Sequence, residues 1–239
     1  MPQNKITKFE VCVESAQGIE ACIGLVDRIE LCSALDIGGL TPSVGLMKTA
    51  KDHGLETHVL IRPSGGDFEM TEADLNVALA DIRIVKDVGL AGVVIGATKG
   101  GQLDTDILAK MIEAADGLTL TLHRAFDVVD DQFVALDQAV DLCFDRILTS
   151  GGAESAPFGV DRLRDLVEHS RSRIEIMAGG GVTIAEVSDL IEKTGVDAVH
   201  SSCSVQRSLP DDLRQKGFGD AERITDVATI EALRRLVRA

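Results

Sequence analysis

The chain has 239 residues, 45% of them hydrophobic and 26% charged, which suits a globular protein with a substantial core. Its 24 Lys and Arg stand against 39 Asp and Glu, a formal net charge of −15. Such a surface repels polyanions, so nucleic acid and anionic membranes are excluded as expected partners.

In chain order, eight β-rich runs alternate with amphipathic helical stretches. The runs are FEVCV (9–13), RIELC (28–32), THVLIR (57–62), GVVIG (92–96), LTLTLH (118–123), RILTS (146–150), IEIMAG (174–179) and DAVHSS (197–202). After the second run, Thr41 reads as a helix N-cap with Pro42 in the first turn. Thr71 to Asp74 reads as a capping box. The helical patterns ADLNVALADIRIVKDVG and DILAKMIEAADG each close on a glycine, the usual helix stop. Residues 203–224 are polar and weakly periodic and read as a long loop, followed by a last helix over about 225–238. Eight βα units predict an α/β fold, a single (β/α)8 TIM barrel over residues 1–239. A doubly wound open sheet fits less well, because no G-x-G-x-x-G follows the first strand.

Barrels of this kind carry their chemistry at the carboxyl ends of the strands. Those ends are polar and Gly-rich here, and the opposite ends show no comparable cluster. Side chains alternate along a strand, so parity assigns faces. Phe9, Val11, Val13, Ile29 and Leu31 are expected to face the helices. Glu10, Cys12, Glu30, Cys32, Thr121, His123 and His200 are then expected inside the barrel. Arg62 ends the third run with ambiguous parity. An ionised Glu10 or Glu30 inside a barrel needs a partner; Arg62, Arg124, His123 and His200 are the candidates. Glu10, Glu30, Arg62, His123, Asp127 and His200 form a candidate acid–base and substrate-holding set. The bland alternative is a buried ion network that fills the barrel, with Asp127 capping the next helix.

Glycines after strand seven (Gly179, Gly180, Gly181) and hydroxyls after strand eight (Ser201, Ser202) suit anion binding through bare backbone N–H groups. Thr149 and Ser150 add donors, and Arg124 adds charge. No lysine sits on an inward face near the top, which argues against a Schiff-base aldolase. No G-x-S-x-G elbow supports a serine triad.

The start, MPQNKITKFEVCV, lacks a signal-peptide pattern, and no apolar run reaches bilayer-spanning length. Five widely spread cysteines without CxxC spacing then point to reduced thiols in the cytoplasm. Thiols are soft ligands suited to Cu(I) or zinc, and Cys12 and Cys32 lie on adjacent strands. Inward residues of adjacent strands fall in different layers, however, so the two sulfurs can be staggered. Cys22 and Cys143 lie in helical stretches and are expected to be buried.

Taken together, FEVCVES, RIELCSALDIGGLTPS, IRPSGGDF, HRAFD, RILTSGG, IMAGGG and VHSS resemble the CutC family of copper homeostasis proteins, in order and over nearly the whole chain. The resemblance implies a cytoplasmic barrel, a homodimer, and Cu(I) binding with Cys12 and Cys32 as ligands. Ser64 departs from the family, which has a second arginine there, and Met70 stands where Tyr is common. Two functions remain open: intracellular copper handling, and a barrel enzyme acting on a small anionic or phosphorylated metabolite.

Overall fold

The structure is a computed structural model that describes residues 7–239. Eight parallel strands close a barrel in sequence order: β1 (Lys8–Val13), β2 (Arg28–Leu31), β3 (Thr57–Leu60), β4 (Gly92–Ile95), β5 (Thr119–Leu122), β6 (Arg146–Thr149), β7 (Glu175–Ala178) and β8 (Ala198–Ser201), which pairs back to β1. This is the expected (β/α)8 architecture. No helix among the described residues is long and apolar enough to cross a membrane.

Alternation along the strands separates an outer core from two smaller clusters. Phe9, Val11, Val13, Ile29 and Leu31 pack outward with the helices in the main apolar core. Cys12, Cys32, Leu60 and Val94 pack together in a separate cluster, with Leu148, Met177 and Ala198 in a third. A strand buried on both faces shows this as a nearly continuous apolar run.

The helix Glu72–Val88 starts with the expected capping box. Thr71 Oγ1 accepts the Asp74 N–H at 3.1 Å and Asp74 accepts the Thr71 N–H at 3.1 Å. It ends at Gly89, whose φ of +78° favours glycine. The helix Val44–Asp52 starts later than expected. Ser43 caps it, while Thr41 Oγ1 accepts the Arg62 N–H at 3.0 Å and so serves the end of β3 instead. The helix Thr105–Ala114 stops at Ala115, short of Gly117.

The expected loop at 203–224 is instead an antiparallel hairpin, β9 (Ser204–Ser208) with β10 (Ala221–Thr225), carrying a short helix at Asp211–Gln215. Neither face of this hairpin is fully buried. It therefore lacks the apolar alternation by which strands are recognised in sequence. The last helix, Val227–Val237, buries Ile230, Leu233 and Val237.

A second correction concerns the N-terminal end of the barrel, which is not plain. Arg28, His58 and Arg146 are buried there, each at or near the start of a strand. Arg28 Nε donates to Glu10. Arg146 donates to Glu175 Oε1 at 2.9 Å and Thr121 Oγ1 at 3.1 Å, and pairs with His58 Nδ1 at 3.2 Å. Burial pushes His58 down to about 3; Glu10 opposes this, while Arg28 and Arg146 reinforce it.

The His58 ring has room because its strand neighbour is Gly92. A Cβ there would lie 2.6 Å from the Thr119 carbonyl and 2.9 Å from the ring. Gly92→Ala is expected to remove about 1–3 kcal/mol of unfolding free energy by overpacking. A urea midpoint equal to the native one would show that the space is not needed.

The neutral His58 also sets a pH dependence. Its folded pKa, about 3, lies below the ordinary 6.5. Its contribution is therefore complete above pH 6.5 and drains away as the pH falls toward 3. Relative to His58→Asn, which keeps an acceptor for Arg146, the native protein is expected to lose about 2 kcal/mol between pH 6.5 and pH 5. Parallel stability profiles for the two proteins would contradict this assignment.

Candidate functional site

A cavity of about 670 Å³ opens at the carboxyl ends of the strands. Strands β8, β1 and β2 build one side of it. The register places Glu10 level with both His200 and Arg28, and Cys12 level with Glu30. One donor atom each from Cys12, Glu30 and His200 lies within 4.8 Å of the others. Cys32 is not in this group. It sits two residues along from Glu30, fully buried, with its thiol directed at the Glu30 carbonyl at 3.9 Å. Burial first, then Glu30 and Cys12, push its pKa well up.

His200 is oriented by its other nitrogen. Nδ1 lies 2.7 Å from Glu10 Oε1, and Nε2 lies 3.6 Å from Glu30 Oε2. Burial alone would lower the imidazole, but the Cys12 sulfur, Glu10 and Glu30 outweigh it and hold His200 well above its usual range. Glu10 shows the mirror case. Burial alone would raise it, but Arg28 and then His200 keep it ionised, far below the usual carboxylate value. Glu30 is different: burial dominates, Glu10 adds to it, His200 opposes, and the carboxyl is pushed up to about 7. One carboxylate is thus fixed in charge and its neighbour is poised to exchange a proton near neutrality.

The facing side comes from β3, β4 and β5. Arg62, buried at the end of β3, donates to the carbonyls of Ile37 (3.1 Å), Gly39 (2.9 Å) and Gly66 (2.7 Å). It pairs with no carboxylate among the described residues, contrary to the expectation that it would serve Glu10 or Glu30. His123 Nδ1 accepts the Ala125 N–H at 3.1 Å, and burial, helped by Arg62, lowers this ring to about 3. Gly96 leaves the space the ring occupies. Phe68 touches both groups, its ring 5.0 Å from the Arg62 guanidinium carbon and 5.1 Å from the His123 ring centre.

The remaining expected residues divide. Arg124, Gly180, Gly181, Ser201 and Ser202 line the cavity. Gly180 and Gly181 have φ of +89° and +71°, which explains the glycines after β7. Asp127, Thr149, Ser150 and Gly179 do not line it. Asp127 instead accepts from Arg124 Nε at 2.7 Å, the Thr149 hydroxyl, and the Ser150 and Gly152 N–H groups at 3.1 Å. The Thr149 and Ser150 hydroxyls are spent on this cluster, which braces Arg124. Gly179 contributes space, since a Cβ would come within 3.1 Å of His200 Cβ. Cys22 is buried as expected, but Cys143 is exposed at φ +60°, just past its helix. Cys203 lines the cavity, and burial pushes its thiol to about 12. Arg28, Phe68 and Arg223 went unnoticed as site residues. Parity with Glu30 signalled Arg28, and Phe68 lies in the IRPSGGDF stretch; Arg223 was hidden in the supposed loop.

The comparisons bear on family and fold. The family model for the CutC family matches residues 7–205. A CutC family protein of Rhizobium meliloti (strain 1021) is 49% identical over 230 residues, covering 95% of this chain and 94% of the relative. One from Caulobacter vibrioides (strain NA1000 / CB15N) is 49% identical over 196 residues, covering 81% of this chain and 80% of the relative. The crystal structure of the CutC protein of Streptococcus agalactiae, designated for copper homeostasis, superposes with a TM-score of 0.78 at 33% identity, over 82% of this chain and 98% of that one. Deoxyribose phosphate aldolase of Aeropyrum pernix, at 14% identity and a TM-score of 0.61, shares the barrel fold alone. The chain belongs to the CutC family.

Proposed function

We propose that the protein binds Cu(I) as cargo, in the cytoplasm, as part of intracellular copper handling. The observation that carries this reading is the convergence of Cys12, His200 and Glu30 on one point of the cavity floor. A thiolate and an imidazole are soft enough for Cu(I). Glu10 supports His200 from behind, the arrangement that fixes metal-binding imidazoles. Glu30 is a harder donor, which makes zinc the natural competitor. The family designation and the solved relative point the same way. Cys12 leads this site, and Cys32 stands outside it.

A specific observation favours a second reading. The cavity is far larger than an ion requires and falls within the size range of small-molecule sites. Glu30 near 7 suits general acid–base chemistry, with Arg62, Arg124 and His123 to hold an anionic metabolite.

An anaerobic Cu(I) titration against a competing chelator, with Zn(II) in parallel, separates the two. The native protein is expected to take one equivalent. Cys12→Ser should lose at least about tenfold in affinity, while Cys32→Ser should stay close to native. Equal, weak binding by all three proteins would make copper incidental and leave the metabolite reading.

A further inference from the structure

We propose that the cavity holds a small organic acid, its carboxylate seated on the Nε–H of Arg62 and the Nε2–H of His123. This rests on the second reading above and names its ligand class.

Both residues line the cavity, at 6% and 4% exposure. Three carbonyls occupy the terminal nitrogens of Arg62, and its Nε has no partner. His123 Nδ1 accepts from Ala125, so the ring proton sits on Nε2, which also has no partner. Among the described residues, the only other buried side-chain nitrogen or oxygen without a partner is His58 Nε2, at the opposite end of the barrel and 3.7 Å from Glu56. Buried donors are normally matched, because stripping one of water without an acceptor is costly. Two unmatched donors, both on residues that meet the Phe68 ring, call for an acceptor with two oxygens, or for one shared oxygen.

Charge selects the acceptor. Arg62 carries one positive charge that no described carboxylate neutralises, and its carbonyl partners solvate that charge without cancelling it. His123 adds a donor without adding charge. One charge and two N–H groups match a single carboxylate better than a phosphate dianion, which needs more compensation. Leu35, Leu60 and Phe68 beside them offer an apolar wall to a short carbon chain. Phe68 stacks over both groups and is half-buried in a stretch whose residues Ser64 to Asp67 are exposed. The two donor atoms are closed off from solvent, so acid binding requires the Phe68 ring to move aside. An N–H offers no lone pair to a metal, so these two donors are not part of the Cys12, Glu30 and His200 group.

The test is ¹⁵N-histidine NMR on the full chain, titrated with lactate, pyruvate and succinate, each against its amide. The free protein is expected to show His123 as the Nε2–H tautomer. The acids should shift that resonance and bind at least about tenfold more tightly than the amides. His123→Phe should lose a similar factor, while Cys143→Ser, at an exposed position outside the cavity, keeps acid binding intact. An Nδ1–H tautomer, no shift with any acid at millimolar concentration, or equal binding of acids and amides would each overturn the proposal. If His123→Phe does not fold, the tautomer and the acid–amide contrast in the native protein still decide. Acid binding without Cu(I) uptake, or Cu(I) uptake without acid binding, tells failure of the metal reading from failure of this one.

Discussion

The Glu10 carboxylate governs the inside of this barrel. It is buried at the centre, takes the Arg28 guanidinium from the N-terminal end and meets His200 from the neighbouring strand. A charge in that position survives only because both partners are present. Removing one partner of such a group strands the other, at a cost of about 3–5 kcal/mol. The same contact closes the bottom of the barrel and aims His200 at the cavity. Stability and site geometry therefore share one bond network. Glu30, one layer closer to the mouth, lacks an arginine and responds by holding its proton to higher pH.

Around the mouth, the strands divide the work. β8, β1 and β2 supply a thiol, an imidazole and a carboxyl that converge on one point of the cavity. β3 and β5 supply N–H donors on Arg62 and His123, held stiffly by backbone groups. Asp127 extends this stiffness to the next loops by gathering Arg124, Thr149, Ser150 and Gly152 around one carboxylate. The Thr149 and Ser150 hydroxyls, which look available in sequence, are internal ties, so fewer donors face the cavity than its composition suggests.

The barrel was legible because the helix-facing positions of the strands are apolar and each run is bounded by polar punctuation. Inward parity was legible too: Glu10, Cys12, Glu30, His123 and His200 all reach the interior. Parity gives a face but no height. Stagger between neighbouring strands brings Cys12 level with Glu30, where sequence similarity between the Glu-x-Cys runs suggested a pairing of thiols. The same limit hid Arg28 and Arg146, inward residues at the starts of strands, where a reading centred on the carboxyl ends does not look. Arg62 was legible as a site residue, but its partners were not, because they are carbonyls of loops whose path no local pattern specifies. The hairpin escaped because it has no buried face to leave a period in the sequence.

That hairpin changes how the cavity relates to its surroundings. Arg223 reaches the cavity from β10 and bonds Asp36, on the loop after β2, at 2.8 and 3.1 Å, and Ser204 at 3.0 Å. Asp36 is largely exposed, so dissolved salt screens this tie over a Debye length of about 8 Å at physiological ionic strength. The Glu10 network is buried, and buried pairs are screened much less. The match to the family model ends at residue 205, so the floor falls within it and the Arg223 strap falls outside it. What the cavity can hold and how readily it exchanges with solvent are therefore set by separate stretches of chain, one insulated from the medium and the other tuned by it.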